Sequence, residues 1–192
     1  MATRGFNPAI KLTYEHYRLL PEGERHELLD GDLVLTPAPG SLHQIALLRL
    51  LPALQRAAAS SRPGLVGVAP WDVILDGATV AQPDLFFVEE GRLEIIAEEG
   101  VRGPPDLVVE VLSPSTLDRD RVIKRDLYAR FGVKELWIAD PEARRFELYE
   151  NTAEGFKLRL LVEGDQRPVS TVIGEVATTP AEVFAPLPGR RE

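Results

Sequence analysis

Apolar residues recur along the chain at two spacings, which predict helices and strands in one mixed fold. A period near 3.6 residues predicts a long helix, SLHQIALLRLLPALQRAAAS, which Ser41 caps and Pro52 kinks. The predicted buried face of this helix consists of Leu42, Ile45, Leu47, Leu48 and Leu51. A shorter helix, TYEHYRLL, is predicted to follow the capping hydroxyl of Thr13.

Short apolar runs between turn residues predict the strands. In HELLDGDLVLT, Asp30 and Gly31 separate two such runs and predict a hairpin, because a two-residue turn needs positive φ angles. Further strands are predicted at GLVGVA, WDVIL and QPDLFFV, and a second hairpin at RFELYE and FKLRLLV. Residues 89–103 are interpreted as an acidic connection.

Residues 105–139 carry the main topological prediction. PPDLVVEVL is nearly continuous in apolar residues, as expected for a strand buried on both faces. SPST begins a helix, LDRDRVIKRDLYARF, which Gly132 ends, and VKELWIAD is the next strand. The two strands should be parallel and joined by a right-handed crossover. The predicted fold class is therefore α/β, a mixed sheet with a few helices.

Composition narrows the classes of function. The 192 residues are 44% hydrophobic and 27% charged, which predicts a single globular domain over residues 1–192 with loose termini. Disulfides and cysteine-based sites are excluded because the chain has no cysteine. The start has no signal-peptide pattern and no long apolar run occurs, so a cytoplasmic protein without membrane contact is expected. The net charge of −8 restricts any DNA contact to a local patch.

Glu110 and Asp84 are the first candidates for chemistry. Glu110 interrupts a run that otherwise predicts core, and a buried carboxylate needs a partner, either a divalent metal or an arginine or lysine. Asp84, at the start of the strand in QPDLFFV, could meet Glu110 at one end of a sheet. Two such carboxylates suit a hard cation, although Pro-Asp before a strand is more often a turn or a cap.

The predicted crossover helix adds a lysine and a tyrosine. Lys124 lies about 60° from the centre of an apolar stripe formed by Ile123, Leu127 and Phe131. Its amine could therefore reach the sheet or extend into water, and a solvated helix face is the commoner arrangement. Tyr128 is one turn further on the same side as Lys124.

Two residues nearer the N-terminus complete the candidates. Glu27 alternates with Leu29 on the first strand of the hairpin, as an edge charge or as a further acid near the site. His43 lies in the first turn of the long helix, where capping or packing is the commoner role of a single histidine. Nucleophile-elbow, P-loop and dinucleotide-binding motifs do not occur, and the three histidines lack zinc-site spacing.

The order of these segments resembles a known family. HELLDGDLVLTPAPGSLHQIALLRL, QPDLFFV and GPPDLVVEVLSPSTLDRDRVIKRDLYARFGVKELWIADPEARRFELYE together resemble the Uma-two family of "putative restriction endonucleases", over residues 12–185. The resemblance implies a restriction-endonuclease-like core of the PD-(D/E)xK type, with a central strand–helix–strand crossover and flanking helices.

The resemblance also implies a metal site. Asp84 and Glu110 correspond to the two acids of the motif and, with the carbonyl of Val111, would hold one Mg²⁺ or Mn²⁺. Two positions after Glu110, where the superfamily often has lysine, this chain has Leu112. Lys124 would act as a catalytic lysine that has migrated to the following helix.

The remaining roles follow from the same resemblance. Glu27 would serve catalysis by binding a second metal or a metal-bound water. His43 matches the family's histidine at the start of the long helix and, with Tyr128, is a candidate substrate contact. Independently of the resemblance, the arginines that share the helix with Lys124 could bind phosphates: Arg119, Arg121, Arg125 and Arg130. The implied activity is hydrolysis of DNA phosphodiester bonds by a homodimer, since cutting both strands needs two sites.

Two other functions remain open at this point. One is a non-catalytic binding or regulatory protein on a nuclease scaffold, which Leu112 favours because the motif lysine is missing there. The other is the hydrolysis of a smaller phosphate ester.

Overall fold

Two six-stranded sheets and a two-stranded sheet form the framework of the part of the chain that the structure describes. This structure, a computed structural model, describes residues 10–21, 25–113 and 119–187, without the side chains of 119 and 120. Its first half contains α1 (Tyr14–Tyr17), β1 (His26–Leu29), β2 (Asp32–Leu35), α2 (Ser41–Ser61), β3 (Gly64–Val68), β4 (Val73–Asp76), β5 (Thr79–Ala81), β6 (Leu85–Glu89), β7 (Ile96–Ala97), β8 (Gly100–Arg102) and β9 (Leu107–Val111). Its second half contains α3 (Arg125–Phe131), β10 (Glu135–Asp140), β11 (Arg145–Thr152), β12 (Gly155–Glu163), β13 (Val169–Ser170), β14 (Gly174–Glu175) and α4 (Pro180–Val183).

The two large sheets are both mixed. The first has the order β2-β1-β5-β4-β8-β7, and the second has the order β12-β11-β10-β9-β6-β3. The sequence indicated one mixed sheet, and the second arises partly from residues 89–103. That segment is not only a connection, since it forms a 3₁₀ helix, Glu90–Ile95, and strands β7 and β8. Strand β8 pairs in parallel with β4.

The first hairpin forms as its turn residues predict. Strands β1 and β2 pair antiparallel with Leu29 opposite Asp32. Asp30 and Gly31 connect them with φ angles of 51° and 81°, the left-handed conformation that a tight two-residue turn requires. The hairpin fixes Glu27 at a buried position of β1.

The strand–helix–strand crossover is confirmed. Strands β9 and β10 are parallel neighbours, with Glu110 opposite Ile138. Alternate residues of β9 face opposite sides of the sheet: Val109 packs in the core cluster that contains α2, and Val108 packs in the cluster that contains Tyr128 of α3. Glu110 therefore shares the α3 side of the sheet with Val108. The start of the crossover helix, predicted at SPST, lies mostly outside the described residues.

Helix α2 has a different buried face from the predicted one. Leu42 and Leu48 are 70% and 71% exposed. The buried face consists of His43, Ala46, Leu47, Leu50, Ala53, Leu54, Ala57 and Ala58. Leu47 is buried as expected, but the prediction was wrong for Leu42 and Leu48, because it followed leucine and isoleucine whereas alanines form much of the buried face. The helix begins after Gly40, which occupies the N-cap position predicted for Ser41, and it continues through Pro52.

The crossover helix is also rotated relative to the prediction. Its first described part is a π-helix, Arg119–Lys124, which continues into α3, and Gly132 caps α3 with φ of 88°. Ile123 is 50% exposed, whereas Lys124 is only 2% exposed. A π-turn contains more residues than an α-turn, so it shifts which side chains face the core. Of the two positions that the sequence left open for Lys124, the structure has the buried one, although the solvated one is the commoner.

No helix in the three described ranges is long and apolar enough to cross a membrane.

Candidate active site

Lys124 contacts two buried carboxylates that come from two different sheets. Its Nζ lies 2.6 Å from Oε1 of Glu110 on β9 and 3.0 Å from Oε1 of Glu27 on β1. All three side chains are buried. We call these three residues the acid–lysine cluster. Buried charges need such partners, because removing an ion from water is unfavourable unless charge and hydrogen bonds compensate it.

Tyr128 supports this cluster from inside the protein. Its hydroxyl donates a hydrogen bond of 2.7 Å to Oε1 of Glu110, and Lys124 Nζ lies 5.9 Å from the centre of its ring. Burial, and then the nearby charge of Glu110, raise the pKa of Tyr128 well above its ordinary value of 10.0. The phenol therefore stays neutral and remains a donor. Because Tyr128 is fully buried, it contacts the acid rather than the solvent-facing side of the site.

The backbone before β6 holds Glu27 in place. The amide of Gln82 donates a hydrogen bond of 2.8 Å to Oε1 of Glu27, the same oxygen that contacts Lys124. The role of Gln82 was missed in the sequence, although it lies in the QPD segment that drew attention to Asp84. Glu27 is an internal residue, not an edge charge.

Asp84 lies directly before the first residue of β6, and two groups contact its carboxylate. Its Oδ2 accepts a hydrogen bond of 2.8 Å from the amide of Val111 and lies 2.9 Å from Nε2 of His43. Both side chains of the His43–Asp84 pair are largely buried. Among the described residues, Nδ1 of His43 has no hydrogen-bond partner. His43 thus reaches the site from α2, on the opposite side of the sheet from Tyr128.

Strand pairing brings Asp84 to the same end of the sheet as Glu110. Strands β6 and β9 run antiparallel, and their register places Leu85 opposite Val109. Asp84 and Glu110 occupy the next positions outward, and the hydrogen bond from Val111 fixes this end of the pair. The two acids that were expected to meet at a strand end are therefore brought to neighbouring strand ends.

The arginines of the crossover helix differ in their surroundings. Arg121 is bound to Glu147 and Asp140, each at 2.9 Å, and the hydrogen bond to Glu147 raises its pKa. Arg130 pairs with Asp30 of the first hairpin. The guanidinium of Arg125, the residue after Lys124, is partly exposed and lies 5.9 Å from the ring of Tyr149. The side chain of Arg119 lies outside the described residues.

The oxygen donors of the site suit a hard cation in their chemistry. Magnesium and manganese are held by one or two carboxylates, with water and substrate phosphate in the remaining positions. Both contacts of Asp84 use Oδ2, so its other oxygen is directed to neither His43 nor Val111. In the described ranges, no group of three or more His, Asp or Glu side chains could hold a metal ion. A cation here would therefore need water or substrate oxygens in addition to the protein's carboxylates.

The chain is similar to known proteins in sequence and in fold. The model of a family named Uma2, described as "Putative restriction endonuclease", matches residues 13–180. A solved structure described as "a putative nuclease belonging to DUF820", from Anabaena variabilis ATCC 29413, superposes with a TM-score of 0.75 and 18% identity over 90% of this chain and 97% of that chain. The type IIG restriction endonuclease BpuSI aligns with a TM-score of 0.39 and 15% identity over 80% of this chain and 17% of that one. A comparison with curated proteins gave no match.

Proposed function

The chain belongs to the Uma2 family, and from this premise we propose that it is a metal-dependent nuclease that hydrolyses phosphodiester bonds in DNA. The observation that carries the proposal is the acid–lysine cluster, in which Lys124 contacts both Glu27 and Glu110 beside Asp84. Buried ionisable residues of this kind are unfavourable for stability on their own and are typical of functional sites.

The acids provide the metal site in this proposal. Asp84 and Glu110, with the carbonyl of Val111, would hold one Mg²⁺ or Mn²⁺. When bound, such an ion lowers the pKa of a coordinated water and polarises the scissile phosphate. His43 and the amide of Val111 hold the Asp84 carboxylate in one orientation through its Oδ2.

Lys124 provides the positive charge that a lysine on the strand usually provides in this motif. Leu112, at the usual position of that lysine, is buried in the apolar cluster of α3. The ammonium of Lys124 reaches Glu110 from the helix instead. There it offsets the negative charge that develops on the phosphate in the transition state, a role in which a preorganised charge is effective.

DNA contacts are proposed for the solvent-facing side of the same helix. Arg125 follows Lys124 directly, and its partly exposed guanidinium can bind a backbone phosphate. The net charge of −8 makes such local contacts necessary. We further propose that the protein acts in the cytoplasm as a homodimer, which would present two sites to the two DNA strands.

Plasmid cleavage tests the proposed function. Purified wild type, Asp84→Ala and Asp32→Ala are incubated with supercoiled plasmid, with and without Mn²⁺. Asp32 is an exposed acid on β2 that pairs with Lys11, so Asp32→Ala controls for the loss of an acid and for impurities. We expect Mn²⁺-dependent cleavage by wild type and Asp32→Ala, and none by Asp84→Ala.

Other results would identify a different function. Equal rates in all three proteins would show a contaminating nuclease. Mn²⁺ binding without plasmid cleavage, together with hydrolysis of bis(p-nitrophenyl) phosphate, would favour a smaller phosphate ester as substrate. Absence of both binding and cleavage would favour the non-catalytic scaffold.

A further inference from the structure

The side chain of Lys124 is long and flexible, although its proposed role requires the ammonium to stay at one position. Its four-carbon side chain has several rotatable bonds, and the ammonium is a point charge without the directional geometry of arginine. It extends from the junction between the π-helix and α3, whereas Glu110 lies on β9. A lysine in this position needs a second contact to hold its ammonium at the strand end.

Glu27 supplies that second contact from a separate part of the fold. Its Oε1 lies 3.0 Å from Nζ of Lys124 and accepts a 2.8 Å hydrogen bond from the amide of Gln82. The amide fixes the carboxylate, and the carboxylate then fixes the ammonium. Both side chains are buried, so solvent screens their attraction only weakly.

The same contacts disfavour a metal ion at this oxygen. A cation at Oε1 of Glu27 would lie beside the ammonium of Lys124 and would compete with the amide of Gln82 for one oxygen. Asp84 differs, because its two contacts are an imidazole and a backbone amide. Oε1 of Glu110 carries the same ammonium together with the hydroxyl of Tyr128, so the proposed metal is assigned to Asp84 and to the other carboxylate oxygen of Glu110.

From these contacts we propose that Glu27 is a positioning residue that anchors Lys124, and not a ligand of the metal. The proposal rests on the proposed nuclease function for its catalytic consequence, but the anchoring itself is a property of the folded chain. It replaces the expectation that Glu27 binds a second metal or a metal-bound water. It also accounts for how a lysine on a helix substitutes for one on the strand at Leu112.

Metal affinity separates the two roles of Glu27 without any turnover. Binding of Mn²⁺ alone is measured by calorimetry for wild type, Glu27→Gln, Asp84→Ala and the control Asp32→Asn. Glutamine keeps the size of the side chain and an acceptor for the amide of Gln82, but removes the charge. We expect Glu27→Gln and Asp32→Asn to bind Mn²⁺ like wild type and Asp84→Ala to lose binding. A loss in Glu27→Gln as large as that in Asp84→Ala would overturn the proposal.

A double-mutant cycle then tests the anchor itself. Glu27→Gln, Lys124→Met and the double variant are compared by urea unfolding and by steady-state cleavage. If Glu27 acts through Lys124, Glu27→Gln lowers kcat by about tenfold or more with little change in KM, and it adds nothing to Lys124→Met. Additive effects on both kcat and unfolding midpoint would refute anchoring.

The urea-unfolding measurements test the contact between Glu27 and Lys124 even if the protein is not a nuclease. If wild type does not cleave DNA, non-additive unfolding midpoints for Glu27 and Lys124 would still support the anchor, and additive midpoints would still refute it. Should Glu27→Gln fail to fold, Glu27→Asp takes its place, since it keeps the charge and shortens its reach. That variant should retain Mn²⁺ affinity and lose kcat, and loss of Mn²⁺ affinity would again refute the anchor.

Discussion

The hydroxyl of Tyr128 and the ammonium of Lys124 meet on one oxygen, Oε1 of Glu110, at 2.7 Å and 2.6 Å. Two donors on one buried carboxylate oxygen stabilise its ionised form and fix its orientation. Because the pKa of Tyr128 is raised, chiefly by burial, the phenol stays protonated at neutral pH and remains a donor. Glu110 is thus held by a neutral donor as well as by a charged one.

Replacing Tyr128 with phenylalanine should weaken the site without leaving a cavity. A hydrogen bond to a charged group contributes about 1.5–3 kcal/mol, so the free energy of unfolding of Tyr128→Phe should fall by about that amount. Its kcat for DNA cleavage should fall as well, because Glu110 loses one of its two restraints. Urea unfolding and steady-state cleavage measure the two effects.

Tyr149 offers a matched control for this variant. Its hydroxyl donates a hydrogen bond, also of 2.7 Å, to Glu147, which lies in the Arg121 ion-pair network and outside the acid–lysine cluster. Tyr149→Phe should lose a similar amount of stability and keep the wild-type kcat. An equal loss of kcat in both variants would mean that the effect reflects stability alone.

A second prediction concerns His43, whose Nε2 lies 2.9 Å from Oδ2 of Asp84. Partners that orient a metal-binding carboxylate typically affect metal affinity by about 10–100-fold. His43→Ala should therefore weaken Mn²⁺ binding within that range, as measured by calorimetry in the absence of DNA. His16→Ala, on the exposed surface of α1, should bind Mn²⁺ like wild type. Unchanged affinity in His43→Ala would leave this histidine with a packing role only.

The sequence predicts those parts of the fold that depend on residues close together in the chain. The turn at Asp30 and Gly31 needs positive φ angles, and both residues tolerate them. Strands β9 and β10 were predictable because apolar runs on either side of a helix favour a parallel crossover. Residue type, turn chemistry and spacing are sufficient for such features, since each depends on neighbours in the chain.

The burial of His43 and Lys124 was not predictable from spacing. Both count as polar in a hydrophobic pattern, so spacing alone left His43 with a capping or packing role and left Lys124 either at the sheet or in water. In the structure, Asp84 compensates His43, and Glu27 and Glu110 compensate Lys124. These partners are distant in sequence and become neighbours only when the two sheets and the helices assemble.

A third prediction concerns acid stability and Asp106, the residue before β9. Its buried carboxylate accepts hydrogen bonds from the amide of Glu89 at 2.9 Å and from Arg92 at 2.7 Å, and it pairs with Lys134 at 2.7 Å. Burial favours the neutral acid, but these donors together outweigh it and lower the pKa of Asp106 below its ordinary value of 3.8. The carboxylate therefore stabilises the fold above its unfolded-state pKa, and this contribution is lost as pH falls through the folded-state pKa.

The variant Asp106→Asn tests the direction of this pH dependence of stability. Its free energy of unfolding should lie below that of wild type near neutral pH, and the difference should shrink as pH falls below about 4. Urea unfolding at a series of pH values measures the difference. Asp32→Asn, at an exposed position, should show little difference at any pH. A gap between Asp106→Asn and wild type that stays constant into acid would contradict the lowered pKa.

The final prediction concerns DNA binding through Arg125. The ring of Tyr149 lies 5.9 Å from its guanidinium, which restrains the side chain while leaving it partly exposed beside Lys124. Each phosphate that a protein neutralises contributes about 0.9 to the slope of log K against log salt concentration. Arg125→Ala should therefore weaken DNA binding and reduce that slope by about 0.9 for each site that contacts DNA. Titrations of labelled duplex in the Asp84→Ala background measure the slope without cleavage.

Arg56 is the control for this measurement. It is exposed on α2, 13 residues after His43, and so lies about 20 Å along the helix from the site. If binding were driven by total charge, Arg56→Ala and Arg125→Ala would weaken it equally, since each removes one positive charge from a chain of net charge −8. A larger loss in Arg125→Ala would place the DNA backbone on the exposed side of the crossover helix. Equal losses would contradict a local phosphate contact there, and the DNA would then have to approach the acid–lysine cluster from another direction.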